Sequence, residues 1–253
     1  MTPRNKAPEQ SPIRHASACL ISDLHLDETR PDVTDGLARF LERLGPVEAL
    51  YILGDLFEAW IGDDDDRPLA GTVAKLLASV SRRGIALYLM PGNRDFLLGQ
   101  LFCQRAGGTL LADPALHILG DRATLLMHGD SLCTGDPEYQ SFRRMTREPK
   151  WQSEVLARPL YERRELAARL RAMSQDANRL KAEDIMDVDP GTVAQSMRDW
   201  QVERLIHGHT HRPGSHRVLA GTRWVLGDWG QDGGWRIDVT RRGPALTPFN
   251  YRD

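Results

Sequence analysis

Ala49-Leu50-Tyr51-Ile52-Leu53-Gly54-Asp55 sets five apolar residues directly before a glycine and a carboxylate. A short, continuous apolar run closed by a turn signal reads as a strand buried on both faces. The same order recurs along the chain. Ala18–Ile21 ends at Ser22-Asp23, Ile85–Met90 at Pro91-Gly92-Asn93, Thr124–Met127 at His128-Gly129-Asp130, and Leu205-Ile206 at His207-Gly208-His209. Trp224–Leu226 and Trp235–Val239 read as closing strands.

Between the strands the period changes. Val33, Leu37, Phe40, Leu41 and Leu44 recur at helical spacing, and Gly45-Pro46 stops that helix. Leu69, Val73, Leu76, Leu77 and Val80 share one face of a second helix, with Gly84 beyond its end. Strand–helix alternation predicts a layered α/β fold, with the chemistry outside the carboxyl ends of the strands.

A chain of 253 residues, 41% hydrophobic and 27% charged, is long enough for one large domain, expected over residues 18–253. Residues 1–17 read as a flexible leader, with prolines and charges but no apolar signal-peptide core. A net charge of −2 argues against wholesale nucleic-acid binding. Cys19, Cys103 and Cys133 share no motif spacing, which fits a reducing cytosol better than a disulfide framework. No apolar run approaches the ~20 residues that cross a bilayer. Nothing in the sequence calls for an obligate protein partner.

A segment of different character spans residues 133–189. It is helical in pattern and interrupted by Pro149 and Pro159. From Arg143 to Lys181 it carries eleven basic residues against five acidic ones. Those arginines have two readings, a solvated helix face or a surface that meets anionic lipid and substrate phosphates. Trp151, Val155, Leu156, Leu160, Leu166, Leu170 and Met173 supply apolar surface beside them, and a basic amphipathic element can lie on a membrane without spanning it. Asp189-Pro190 then reads as the N-cap and first turn of a helix that carries Val193, Met197 and Trp200 inward.

The motifs at the strand ends offer carboxylate, imidazole and one amide oxygen, a donor set suited to borderline-hard divalent metals such as Mn, Fe, Zn or Co. Thiolates are absent from it, which argues against a structural zinc site. In extended chain, residues i and i+2 point the same way, so Asp23 with His25, and His207 with His209, can each aim two ligands at one centre. Asp55 can bridge two cations. Two metals about 3.5–4 Å apart hold a water and clamp a phosphoryl group, so no separate Ser or Cys nucleophile is needed. Arg94 offers a planar fork to a phosphate oxygen.

Together the five blocks Asp23-Leu24-His25, Gly54-Asp55, Gly92-Asn93-Arg94-Asp95, His128-Gly129-Asp130 and His207-Gly208-His209 resemble the calcineurin-like metallophosphoesterases. Leu53–Asp64, Met90–Leu97 and His207-Gly208-His209-Thr210-His211-Arg212-Pro213 are more closely similar to the UDP-2,3-diacylglucosamine diphosphatases of lipid A synthesis, in which Arg stands at position 94 where many relatives carry His. The resemblance implies a β-sandwich flanked by helices, with a helical lid inserted at residues 133–189. It implies two metal ions, usually manganese, the first held by Asp23, His25, Asp55 and His209, the second by Asp55, Asn93, His128 and His207. It implies substrate contacts at Asn93, Arg94, Asp136, Ser174, Asn178, Lys181 and His207, with Asn93, Arg94 and His207 catalytic. Ser174, Asn178 and Lys181 keep the spacing of one helical face. The implied reaction is hydrolysis at the α-phosphorus of a lipid-linked UDP-sugar, at the cytoplasmic face of the inner membrane, by a peripheral protein.

His211 has three readings: a donor that orients a metal ligand, a phosphate contact, or loop structure. Asp95 and Asp130 read as turn residues or as supports of the ligands. Glu58 reads as a helix cap or first-turn residue, and Asp63–Asp66 as a solvated acidic loop. Two other functions share the core motifs: a different dimetal phosphoesterase, such as a dinucleoside polyphosphate hydrolase, cyclic-nucleotide phosphodiesterase or protein phosphatase, and a non-catalytic scaffold.

Overall fold

The computed structural model describes residues 12–179, 187–219 and 221–252, with side chains 174–179 outside the description. In chain order it contains β1 (Arg14–His15), β2 (Ala18–Ile21), α1 (Pro31–Arg43), β3 (Ala49–Leu53), α2 (Pro68–Arg82), β4 (Ala86–Met90), α3 (Gln100–Arg105), β5 (Thr109–Leu110), β6 (Ala115–Leu119) and β7 (Arg122–Met127). Then follow α4 (Pro137–Thr146), α5 (Pro149–Leu156), α6 (Leu160–Arg179), α7 (Pro190–Asp199), β8 (Arg204–His207), β9 (Gly214–Val218), β10 (Gly221–Val225), β11 (Gly233–Thr240) and β12 (Gly243–Asn250).

Two six-stranded sheets form, ordered β12-β11-β2-β3-β4-β5 and β1-β6-β7-β8-β10-β9. β3 shows why the strands lack an alternating pattern. Leu50 and Ile52 face the core shared with α1 and α2, whereas Ala49, Tyr51 and Leu53 face the core between the sheets. Successive side chains of a strand point to opposite faces, so a strand covered on both must be apolar throughout. The second sheet repeats this: Leu126 and Ile206 face the first sheet, and Leu125, Met127 and Leu205 pack with Val193 and Met197 of α7. The layers run helix, sheet, sheet, helix.

The helices follow from their sequences. α1 begins with a proline in its first turn, carries Asp32 near its N-terminus and Arg43 near its C-terminus, and buries Val33, Leu37, Phe40 and Leu41. α7 is capped by Asp189, whose side chain accepts from the Thr192 amide, with Pro190 next.

Parallel register aligns the strand ends that matter. Ile21 pairs with Ile52, Leu53 with Met90, and Met127 with His207. The loops leaving β2, β3, β4, β7 and β8 therefore meet at one edge of the sandwich. One boundary differs from expectation. Arg14 and His15 are not leader: they form β1, paired in parallel with Ile118 and Leu119. Residues 1–11 lie outside the description.

Candidate functional site

The loops at this edge are held in uncommon backbone conformations. Among the described non-glycine residues, positive φ occurs at Asp23 (57°), His25 (49°), Asp55 (51°), His209 (67°) and His211 (54°), and elsewhere only at Asp121 and Gln201. Non-glycine residues seldom take this region, and when they gather in it they mark functional loops. Gly54 (φ 91°) precedes Asp55, and a Cβ there would lie 2.3 Å from Nδ1 of His128. A buried carboxylate fixes the junction: Asp95 accepts from the amides of Gly92 at 2.6 Å, Leu56 at 2.8 Å and Asp55 at 3.2 Å. Burial, and then Asp55, pushes its pKa up to about 6.

The side chains converge on Asp55 and Asn93. Oδ2 of Asp55 lies 3.8 Å from Nε2 of His25, and Oδ1 lies 3.7 Å from Nε2 of His128, so the carboxylate stands between the two rings. Nε2 of His128 and Nδ1 of His209 each lie 2.8 Å from Oδ1 of Asn93. Nδ1 of His128 lies 2.9 Å from the Leu53 carbonyl, which fixes its proton on that side and aims the Nε2 lone pair at the cluster. Asp23 accepts from Ser22 at 2.5 Å and from the His209 amide at 2.9 Å. Ligand atoms of Asp23, Asp55 and His128 lie within 4.8 Å of one another, and so do those of Asp23, His25 and His211.

Buried acceptors facing acceptors fit a cation. The histidines of the cluster differ in acidity: burial, and then His128, lowers the pKa of His209 to about 4. Burial disfavours a charge on His128, yet Asp55, Asp130 and Asp23 overcome it and raise its pKa to about 9.

Asp23, His25, Asp55, Asn93, His128 and His209 are thus brought together. His207 is not. As the last residue of β8 it falls on the same face as Leu205, toward α7. Its Nδ1 lies 2.8 Å from the Gly208 carbonyl and its Nε2 3.5 Å from Nη1 of buried Arg223. Burial, and then Arg223, pushes its pKa down to about 3. Both ring nitrogens are engaged away from the cluster, which corrects its placement as a ligand, as a catalytic group and as a substrate contact. His211 comes in instead: its Nε2 lies 3.4 Å from Oδ1 of Asp23 and 3.3 Å from Nε2 of His25.

Three further residues were missed or misread. Glu58 is not a helix cap; its Oε2 lies 3.0 Å from Nδ1 of His25. Tyr139 stacks on His209 with ring centroids 6.0 Å apart and donates to Asp130 at 2.9 Å. Asp130 also pairs with Nε of Arg143 at 2.9 Å, fastening α4 to the His128 loop. No sequence motif pointed to Tyr139 or Arg143, because only the tertiary contact gives them a role.

The insertion covers the site. A cavity of about 260 Å³ runs from Asn93 and Arg94 to Trp60, Phe96, Trp151, Val155, Leu166 and Leu170. The arginines divide: Arg144, Arg158 and Arg169 are exposed, as on a solvated helix face, and others turn toward the protein. These pair with the protein's own acceptors: Arg147 with the Gly92 carbonyl at 2.9 Å, Arg163 with Asp64 and the Ile61 carbonyl at 2.7 Å each, and Arg164 with Asp66. The run Asp63–Asp66 accordingly docks α6, with Asp65 buried and Asp64 and Asp66 paired but still largely exposed. Asp63 within it accepts from Trp60 Nε1 at 3.1 Å and from the amides of Gly99 and Phe102 at 3.0 Å. Asp136 caps α4, accepting from the Tyr139 amide at 3.0 Å. The side chains of Ser174 and Asn178, and all of Lys181, lie outside the described residues.

A helix-flanked double sheet with this donor set at its strand ends defines a metal-dependent phosphoesterase. The chain belongs to the calcineurin-like phosphoesterase family, which matches residues 17–213. It is similar to a UDP-2,3-diacylglucosamine hydrolase of Cellvibrio japonicus, 51% identical over 89% of this chain and 96% of that one. It is similar to another so named from Chromohalobacter salexigens, 52% identical over 92% and 97% of the two chains. A third, from Stutzerimonas stutzeri, is 48% identical over 91% and 98%. No helix among the described residues is long and apolar enough to cross a membrane.

Proposed function

We propose that this protein hydrolyses the pyrophosphate bond of UDP-2,3-diacylglucosamine to UMP and 2,3-diacylglucosamine 1-phosphate. The observation that carries this reading is continuity. Asn93 and Arg94 stand where the acceptor cluster opens into the apolar cavity under the insertion. One molecule with a phosphoric anhydride and acyl chains meets both environments at once. The names of the three relatives support the same substrate.

The ligand set in this reading is Asp23, His25, Asp55 and His211 for one ion, and Asp55, Asn93, His128 and His209 for the other. Two divalent ions, manganese by family resemblance, would supply there a water acidic enough to attack at neutral pH and positive charge for the phosphoryl oxygens. Asp55 places its two oxygens toward opposite rings and so reaches both sites. The Leu53 carbonyl fixes the tautomer of His128, and Glu58 fixes the ring of His25. Arg94 at the cavity mouth meets the anionic diphosphate with a planar fork. Phe96, Trp151 and Leu166 take acyl chain out of water. Exposed Leu101, Leu156 and Tyr161 would serve a peripheral contact with the inner membrane, from the cytoplasm.

Hydrolysis in oxygen-18 water tests the reaction. Label in UMP is expected; label only in the lipid phosphate contradicts attack at the α-phosphorus. Deacylated substrate is expected to turn over far more slowly, because remote binding energy is lost with the chains. Equal turnover of both would favour a different dimetal phosphoesterase.

A further inference from the structure

Glu58 stands between a metal-site histidine and the insertion. Its Oε2 lies 3.0 Å from Nδ1 of His25, and its Oε1 accepts from Nε of Arg171 at 2.9 Å. Arg171 lies on α6 and also reaches Oδ2 of Asp27 at 3.6 Å. One guanidinium of the insertion thus binds the two carboxylates that flank His25.

The backbone makes this arrangement rigid from below. The Leu26 amide donates to the Leu56 carbonyl at 2.9 Å, and the Glu58 amide donates to the Leu26 carbonyl at 3.1 Å. The His25 and Asp55 loops are laced together, and the side chain of Glu58 is set opposite His25. With Nδ1 3.0 Å from the Glu58 carboxylate, Nε2 is the nitrogen that faces Asp55. From above, only Arg171 ties Glu58 to α6 among the described contacts. The same helix supplies Leu166 and Leu170 to the apolar cavity.

We infer that Glu58 is a positioning residue through which the docking of α6 sets the affinity of the His25 metal position. With Arg171 in place, the carboxylate is held in the geometry that orients the imidazole. With α6 displaced, Glu58 gains rotamers and the ring is less well fixed. Coupling between sites is reciprocal, so filling the metal position also steadies α6. The inference rests on the proposed ligand set, and its test separates the two.

Metal-free protein is titrated with Mn2+ without substrate, and free Mn2+ is read by its electron paramagnetic resonance signal. Glu58→Gln is expected to weaken the tighter class of sites about tenfold, the usual scale for a partner of a metal-binding histidine. Arg171→Ala is expected to weaken it about threefold or more. Arg164→Ala, which breaks a different ion pair of the same helix, is expected to leave it unchanged. Wild-type protein that takes up no Mn2+ overturns the proposed metal centre. Wild-type uptake with unaltered affinity in either Glu58→Gln or Arg171→Ala overturns the coupling alone. Should a variant fail to fold, hydrogen exchange on the wild type decides: Mn2+ slows amides in residues 160–173, and unchanged exchange overturns the coupling.

Discussion

Nε2 of His211 lies 3.4 Å from Oδ1 of Asp23, although 188 positions separate the two in sequence. Both stand in left-handed backbone, as do His25 and His209. The i, i+2 pairing therefore recurs, but in the proposed ligand set it joins Asp23 with His25 and His209 with His211. It is made by tight loops beyond the strands and not by extended chain.

The loops leave no room for a methyl group at their glycines. A Cβ on Gly92 would lie 2.1 Å from Oδ1 of Asp55, and one on Gly208 would lie 2.3 Å from Oδ2 of Asp23. Gly208→Ala is expected to lower kcat by about a hundredfold, the scale of a roughly 1 Å misplacement of catalytic groups. Steady-state kinetics beside a melting curve checks it. Full activity would mean that Asp23 tolerates displacement.

Asp95 holds backbone and not metal. Asp95→Ala leaves several buried amides without their acceptor, and a loss of about 3 kcal/mol in unfolding free energy is expected. Urea denaturation of metal-free protein measures it directly. A change below about 0.5 kcal/mol would show that the junction is held by other contacts.

His117 is buried between the sheets with Nδ1 2.8 Å from the Tyr51 hydroxyl. Burial, and then His15, lowers its pKa from 6.5 to about 4. Between these values the unfolded chain binds more protons than the native one, so stability is complete above about 6.5 and falls as pH drops toward 4. The shift corresponds to a loss of up to about 3 kcal/mol. His117→Phe is expected to flatten that part of the stability profile, measured by denaturant titration from pH 7 to 4. An unchanged slope would place the acid sensitivity elsewhere.

Leu166 lines the cavity but lies outside the cluster of metal-site side chains. Leu166→Ala is expected to raise KM for diacylated substrate about tenfold or more, as burial of a Leu side chain is worth ~2 kcal/mol. KM for the deacylated compound should stay the same. A matched rise for both substrates would separate the cavity from the acyl chains.

The central strands were legible because burial on both faces writes an unbroken apolar run, as at Ala49–Leu53. Edge strands were not. β12 ends its sheet and carries Pro244 and Pro248, residues that argue against a strand unless one side of it is free of partners. Six of the side chains that the fold gathers at the strand ends were legible from motif chemistry. His207 was misread because its place relative to the end of β8 decides which way the ring points, and a strand boundary is uncertain by about two residues from sequence alone. Likewise Asp64–Asp66 and the α6 residues Arg163 and Arg164 look solvated until the fold sets them opposite one another. Charge runs carry no record of what they face.

Metal content of the purified variants tests the account most directly. Inductively coupled plasma analysis after Mn2+ loading and gel filtration is expected to give about two ions per chain for the wild type. His211→Ala is expected to give about one, and His207→Gln about two. Loss of an ion in His207→Gln with two retained in His211→Ala would contradict the proposed metal centre.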